Sequence, residues 1–489
     1  MRVLAILLTA ILQLGDPAQC AAEHPNIVIV MVDDMGYGDP GCFNPKSRIA
    51  TPHIDSLARA GIRFTNAHAP GPLCHMSRYG LLTGQYPFRT DVTRWPKEPL
   101  IEPDQVTIAS LAKRAGYATA MVGKWHLGFL EKGYDKPLRG GPIDCGFDSF
   151  FGMRASTDIP PYFYIRGDQA VELPINHIAA NHSRGWSPIQ GEFWRAGRIA
   201  PDFRLDEVLP RFTDEAIKVI ANQATKPAQG AEQLFLYLAY PAPHTPWLPT
   251  MEFRGKSGAG LYGDFAMMVD AELGRVLAAL EDAGMSDETL VIFTSDNGPV
   301  WMPEDCERFR HDATAGLRGM KGDAWEGGHR MPLIIRWPGR TPPGAVSDHL
   351  VCFTDFLATF ALILGVTLPA DAGPDSCTFL SALTGAADPE KKGRSHFVMQ
   401  AGSRRSTMLI QHGDWKLITA LGSGGFSEPK YIEPVDGGPR GQLYNLAADP
   451  GETQNLYLQS PEMVARLESE LQRVVDSEGP RPRSNVEQP

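Results

Sequence analysis

Two acidic clusters stand directly after apolar runs. Asp33-Asp34 follows Asn26–Val32 (NIVIVMV), and Ser295-Asp296-Asn297-Gly298 follows Leu290–Thr294 (LVIFT). Adjacent carboxylates at a buried strand end repel one another and are costly to strip of water unless a cation holds them. A hard divalent cation takes carboxylate and amide oxygens, so two such ends brought together would supply several ligands. Each end alone also reads as a turn, because Asp, Asn and Gly favour turns; their recurrence at two strand ends favours the metal. Cationic side chains follow a similar plan. Lys124 and His126 (GKWHLG) follow Ala118–Val122, His244 (APHTPW) follows Leu234–Tyr240, and Lys321 and Arg330 (KGDAWEGGHRMP) precede Pro332–Trp337. A lone lysine or histidine in a loop is ordinarily a solvated side chain, but gathered at one edge these would form an anion pocket facing the metal. The combination suits metal-assisted transfer of a tetrahedral oxyanion group, phosphoryl or sulfuryl.

The elements that must position these residues are the apolar runs themselves. They read as strands buried on both faces, as parallel sheets require, and helical patterns such as Thr107–Ala115 and Phe265–Ala283 lie between them. The fold class is therefore α/β: a large mixed, mainly parallel sheet flanked by helices, with ligands bound beyond the carboxyl ends of its strands. Around Thr384–Ser395 (TGAADPEKKGRS) the chain turns polar and loop-like. The short runs TMLIQ, WKLIT and QLYNL beyond it suit a smaller antiparallel sheet. One amphipathic helix follows, with Met463, Val464, Leu467, Leu471, Val474 and Val475 at helical spacing. Ser460 and Pro461 occupy its cap and first-turn positions. The expected division is a leader over 1–22, a catalytic domain over 23–390 and a C-terminal subdomain over 395–489.

Composition narrows the partners. A chain of 489 residues with 43% hydrophobic and 21% charged residues is an ordinary globular protein, long enough for two domains. Its net charge of −11 argues against a nucleic-acid coat or a polybasic membrane footprint, since a net-negative chain is not drawn to phosphate. Any anion it handles must meet a local positive site. Arg2, the apolar stretch Val3–Leu14 and the small residues of Ala18–Ala22 read as a signal peptide. The stretch is shorter than the roughly 20 residues a membrane span needs. Export and release follow, to the periplasm or the extracellular space, or to the endoplasmic reticulum and lysosome in a eukaryote, without membrane insertion. Cleavage just after Cys20 leaves six of the seven cysteines, widely spaced and without a CxxC pair, which argues against a zinc ribbon. One or two disulfides stay open in an oxidising compartment.

The segment Cys74-His75-Met76-Ser77-Arg78-Tyr79-Gly80-Leu81-Leu82-Thr83-Gly84 resembles the sulfatase signature, C-x-P-S-R followed by x-x-L-L-T-G, with Met76 at the proline position. Further blocks match in order: NIVIVMVDDMGYGD, GKWHLG, SDNG, KGxxxEGGxRxP, DWKLI and LYNLAADPGETQNL. The chain looks most similar to the arylsulfatase A-like branch, with GFDSFFGMRASTDIPPYFYI as a substrate-side segment. The resemblance implies hydrolysis of sulfate esters through a formylglycine, made from Cys74 by the formylglycine-generating enzyme during maturation. It implies one calcium ion held by Asp33, Asp34, Asp296, Asn297 and an oxygen of the modified Cys74. Arg78 and Lys124 would hold the formylglycine hydroxyls, and His126 would act as base on one of them. His244 and Lys321 would bind sulfate oxygens and assist the leaving group, while Ser156 matches a polar substrate-binding position.

Two physical points support that assignment. A hydrated aldehyde carries two hydroxyls on one carbon, one to attack sulfur and one to expel sulfate afterwards, where a serine would leave a stable sulfo-enzyme. Cys74 is expected to open a helix whose N-terminal N–H groups favour the developing anion, with Arg78 on the same face. Lys321 is expected outside the hydrophobic core. Met76 lacks the fixed φ that proline gives a bound, extended segment, so conversion of Cys74 is the point on which the reading turns. The substrate is a sulfated polysaccharide or oligosaccharide, or an aryl or small sulfate ester. The aromatic and basic stretch Arg154–Arg204 is where sugar contacts are expected. A phosphodiesterase or phosphatase of the same fold, or a sulfated-glycan binder with an unmodified Cys74, are the alternatives.

Overall fold

The computed structural model describes residues 24–95, 98–226, 232–385, 393–402 and 407–477. The leader read over 1–22 lies outside the described residues, as do residues 386–392 of the polar Thr384–Ser395 segment. Six strands carry the architecture: β1 (Asn26–Asp33), β2 (Ala118–Lys124), β3 (Ser149–Met153), β4 (Leu234–Pro243), β5 (Thr289–Ser295) and β6 (Leu333–Arg336). Every side chain of β1, β4 and β5 is buried, as expected of central strands covered on both faces. They lie in a ten-stranded sheet with the order β6-β5-β1-β4-β2-β3 at its centre. β5, β1, β4, β2 and β3 run parallel to one another.

Two details sharpen the expected mixed sheet and its surroundings. β6 runs antiparallel to β5, with Leu333 opposite Thr294. Its first residues therefore lie at the edge where the parallel strands finish, so residues preceding it can meet residues following the others. Second, β3 lies within the segment read as substrate-side, where Phe150, Phe151 and Met153 are core residues.

The helix Cys74–Thr83 begins after the extended Leu73 and closes at Gly84, whose φ of 65° is left-handed. Of its ten residues only His75 is not fully buried. A helix buried nearly all round is locked into the core and cannot reorient toward solvent. The helical patterns around residues 107–115 and 265–283 are helices Ile108–Arg114 and Gly260–Asp282. Thr107 and Ser110 form a capping box at the start of the first.

The C-terminal region is a four-stranded antiparallel sheet in the order His396–Gln400, Met408–His412, Trp415–Ile418, Gln442–Asn445. Its first strand was not foreseen. Helix Pro461–Asp476 buries Val464, Leu467 and Leu471 against this sheet's core. Ser460 stands at the cap position, but its side chain makes no capping hydrogen bond. The six cysteines of the described residues are all free thiols, so no disulfide forms among them. No helix of the described residues is long and apolar enough to cross a membrane.

Candidate active site

Sheet register brings the chemistry together. Val32 pairs with Ser295 and Asp33 with Pro243, so the ends of β1, β5 and β4 are level. Asp33-Asp34, Asp296-Asn297 and His244 leave the sheet at one edge, and Lys124 is the last residue of β2. The helix Cys74–Thr83 points its N-terminus into the same space. Asp34 and His126 hold left-handed backbones, φ 64° and 62°. These are uncommon for residues other than glycine, and both fall just beyond a strand end. Gly298 lets the chain after Asn297 press on the segment before β6. A Cβ there would stand 1.9 Å from the Gly327 carbonyl oxygen.

The charges interlock. The Arg78 guanidinium donates from Nε to Asp296 Oδ2 at 2.9 Å and from Nη1 to the Lys124 carbonyl at 3.0 Å. The Lys124 ammonium pairs with Asp33. Lys321 donates to Asp34 Oδ1 at 2.5 Å and lies 3.3 Å from Cys74 Sγ, whose thiol donates to Asp33 Oδ1 at 3.2 Å. Asn297 Nδ2 donates to Asp34 Oδ1 at 2.6 Å. His244 is partly exposed, with Nε2 3.7 Å from Asp34 and Nδ1 3.9 Å from Asp158. His126 Nδ1, Asn297 Oδ1 and Ser156 Oγ are buried without a hydrogen-bond partner.

Burial works against ionisation of Asp33, but Lys124, with His244, Arg78 and Lys321 behind it, holds that carboxyl well below the usual range. For Asp296, burial and the neighbouring Asp33 charge win over Arg78 and push the carboxyl up to about 6. Burial, with Asp296 and Asp33 nearby, keeps the Cys74 thiol neutral, well above its ordinary pKa. A neutral buried thiol is a poor nucleophile. Burial and the Lys124 charge keep His126 unprotonated, its pKa well below normal. For Lys321, the Asp34, Cys74, Asp33 and Asp296 charges outweigh burial and hold the ammonium charged.

The family model described as Sulfatase matches residues 25–366, spanning every strand end of this site. The chain belongs to the sulfatase family. A second family model, described as the C-terminal region of N-sulphoglucosamine sulphohydrolase, matches residues 321–477. This sulfatase, a sulfuric ester hydrolase, is 33% identical to the N-acetylgalactosamine-6-O-sulfatase of Bacteroides thetaiotaomicron over 93% of each chain. It is 32% identical to human arylsulfatase A over 89% of this chain and 84% of that protein. Among solved structures it matches BT33336S-sulf, from work on glycosaminoglycan metabolism by Bacteroides thetaiotaomicron. That match has a TM-score of 0.80 at 32% identity and covers 93% of this chain and 99% of that one. The fold also matches that of Ps i-CgsB, with a TM-score of 0.71 at 23% identity, covering 94% of each chain.

Several readings of this sulfatase change with the structure. Lys321, expected outside the hydrophobic core, is nevertheless buried: it is 5% exposed. Arg330 does not join the anion pocket. Its Nε donates to the Thr65 carbonyl at 2.7 Å and its Nη1 lies 3.3 Å from Glu326. Residues that sequence spacing missed include Asp158, beside His244, and Tyr262, whose hydroxyl donates to the Asp34 carbonyl at 3.0 Å. Trp95 was missed too: its ring lies 4.3 Å from His126 and stacks on His75 at 5.3 Å. Asp158 lay within a block already singled out; Trp95 and Tyr262 carried no local signal. The oxygen donors Asp33, Asp34, Asp296 and Asn297 fit a hard divalent cation. The ligating atoms of Asp33, Asp34, Cys74 and His244 lie within 4.8 Å of one another. The unpartnered Asn297 Oδ1 is the buried acceptor that such an ion would satisfy.

Proposed function

We propose that this sulfatase hydrolyses sulfate esters of glycans through a formylglycine made from Cys74, with one calcium ion. Asp33, Asp34, Asp296, Asn297 and the modified Cys74 side chain would hold that ion. The observation that carries the reading is the setting of Cys74. It is the first residue of a buried helix, with its sulfur 3.2 Å from Asp33 and 3.3 Å from Lys321, and burial raises its thiol pKa well above the ordinary value. The hydrated aldehyde supplies one hydroxyl to attack sulfur and another to release sulfate, and calcium supplies positive charge to the same anion.

The chain's own residues do the rest. Lys124 and Arg78 orient the hydroxyls, and the unprotonated His126 takes a proton at its unpartnered Nδ1. Lys321 and His244 hold sulfate oxygens, with His244 near enough to the opening to serve the departing alcohol. Ser156, buried with a free hydroxyl, offers a further hydrogen bond to substrate. Sulfated N-acetylgalactosamine units lead the substrate class, supported by the names of the relatives. Export through the leader and maturation by the formylglycine-generating enzyme complete the reading, with catalysis in 23–390 and a C-terminal subdomain over 395–489.

The test begins with chain co-expressed with the formylglycine-generating enzyme. Mass spectrometry of the tryptic peptide Phe64–Arg78 should find aldehyde at Cys74. A panel of paired esters, including N-acetylgalactosamine 6-sulfate and 6-phosphate and 4-nitrophenyl sulfate and phosphate, should yield sulfate release. Preferential phosphate release would favour a phosphatase, and thiol protein with undiminished sulfate release would defeat the formylglycine route.

A further inference from the structure

Two sequence blocks, DWKLI and LYNLAADPGETQNL, have no part in the chemistry above, yet each sends a charge into the interior. Lys416 Nζ lies 2.9 Å from Glu326 Oε1, 2.8 Å from Glu452 Oε1 and 3.1 Å from His329 Nε2. Lys416, Glu326, Glu452 and His329 are all fully buried. The Glu326 N–H donates to Glu452 Oε2 at 2.7 Å. More of the C-terminal region grips the same segment. The Asp323 carboxylate accepts the N–H groups of Phe426 at 2.7 Å, Ser427 at 3.0 Å and Met320 at 2.8 Å. The Ala324 N–H donates to the Ser423 carbonyl at 2.8 Å, and Trp325 Nε1 donates to Gln442 at 3.0 Å.

The opposite side of this segment faces the site. The Lys321 N–H donates to the Pro299 carbonyl at 2.9 Å and the Gly322 N–H to the Pro72 carbonyl at 2.8 Å. Pro299 follows Asn297-Gly298, and Pro72 precedes Cys74. The clamp is tight: a Cβ on Gly425 would stand 2.1 Å from the Gly322 carbonyl carbon. Buried ion pairs are a weak source of stability, since apolar residues of similar volume often serve as well. What they fix is geometry, and catalysis is sensitive to displacements of about 1 Å.

We propose that Lys416, Glu452 and Asp323 are positioning residues: through them the C-terminal sheet holds the backbone of residues 321–329 so that the Lys321 ammonium stands at Asp34 and Cys74. This rests on the role given to Lys321 above. Neither Lys416 nor Glu452 touches the reacting atoms; they act through Lys321.

A double-mutant cycle tests it. Lys416→Met and Asp323→Asn are each made alone and with Lys321→Ala. kcat and KM are measured on the sulfate ester turned over fastest in the panel and expressed per aldehyde-bearing molecule. Lys416→Met should lower kcat by about tenfold or more with little change in KM, as for a misplaced transition-state partner. In the Lys321→Ala background the same change should cost less than about threefold, because the group it positions is gone. An equal loss in both backgrounds means a general structural role and overturns the proposal. If Lys416→Met does not fold by circular dichroism, Asp323→Asn carries the cycle, and unchanged kcat in that variant is equally adverse. If Lys321→Ala alone costs nothing, the role of Lys321 fails first and the positioning proposal falls with it. Additive losses sink only the positioning.

Discussion

Two of the buried charge clusters among the described residues, one at the strand ends and one beneath the C-terminal sheet, are finished differently. At the strand ends Asp33, Asp34 and Asp296 crowd against Arg78, Lys124 and Lys321, yet Asn297 Oδ1, His126 Nδ1 and Ser156 Oγ have no partner. The partly exposed His244 leaves that cluster a side open to solvent. Beneath the C-terminal sheet, Lys416 joins Glu326 and Glu452, His68 Nδ1 meets His329 Nδ1 at 3.0 Å, and the Phe397 ring stacks on His68 at 4.4 Å. Lys416 holds Glu326 well below the usual carboxylate range against burial, while burial wins at Glu452 and pushes it up to about 7. A buried polar atom left without a partner is costly, and this is what supports the proposal that the first cluster is completed by a ligand. In the second, Glu452 Oε1 also lacks a hydrogen-bond partner but stands 2.8 Å from the Lys416 ammonium, so its charges are matched by the cluster's own residues; the role proposed for it is to hold backbone in place.

The largest way to break this comparison is Cys74→Ala. Removing the reacting group from the open cluster should lower sulfate release by about 10⁴-fold or more, while urea denaturation should change little. Substantial residual turnover would place the chemistry elsewhere. Thorough removal of metal should abolish activity next and also lower Tm, with calcium restoring both. An ion that binds only the folded state contributes about 2.7 kcal/mol at a hundredfold excess over its Kd. Full activity of stripped protein would remove the ion from the open cluster.

Lys321→Ala should cost roughly 10²–10³ in turnover, the usual loss for one preorganised oxyanion partner, with a modest loss of stability in calcium. Lys416→Ala should instead cost about 3–5 kcal/mol of unfolding free energy by leaving two buried carboxylates uncompensated. Finding the two stability losses equal would erase the distinction between the clusters. The smallest effect is expected from Met76→Pro. The N–H of Ser77, not of Met76, makes the first helical bond, to the Leu73 carbonyl at 3.0 Å, so proline fits this first turn. The aldehyde fraction at Cys74 and the activity should then rise together, severalfold at most, with turnover per aldehyde constant. A rise in aldehyde without a rise in activity would assign the pocket to binding.

Much of this was readable in the chain. Unbroken apolar runs such as NIVIVMV and LFLYLAY mark strands buried on both faces, because no polar face interrupts them. The residues that follow such runs are local in sequence and so visible beside them, and the CHMSRYGLLTG block is legible because its parts lie within one helix. The sequence by itself thus determined the central parallel strands and which side chains stand at their ends. Only the tertiary structure decided the antiparallel run of Leu333–Arg336, the burial of Lys321 and the exclusion of Arg330, which turned to Glu326 and Thr65. Only it brought Trp95 over His126, and Lys416 and Glu452 to Glu326. The physical reason is range. Propensity and periodicity act between residues a few positions apart, whereas the partner of a buried charge is set by strand register and by which loops a distant sheet covers.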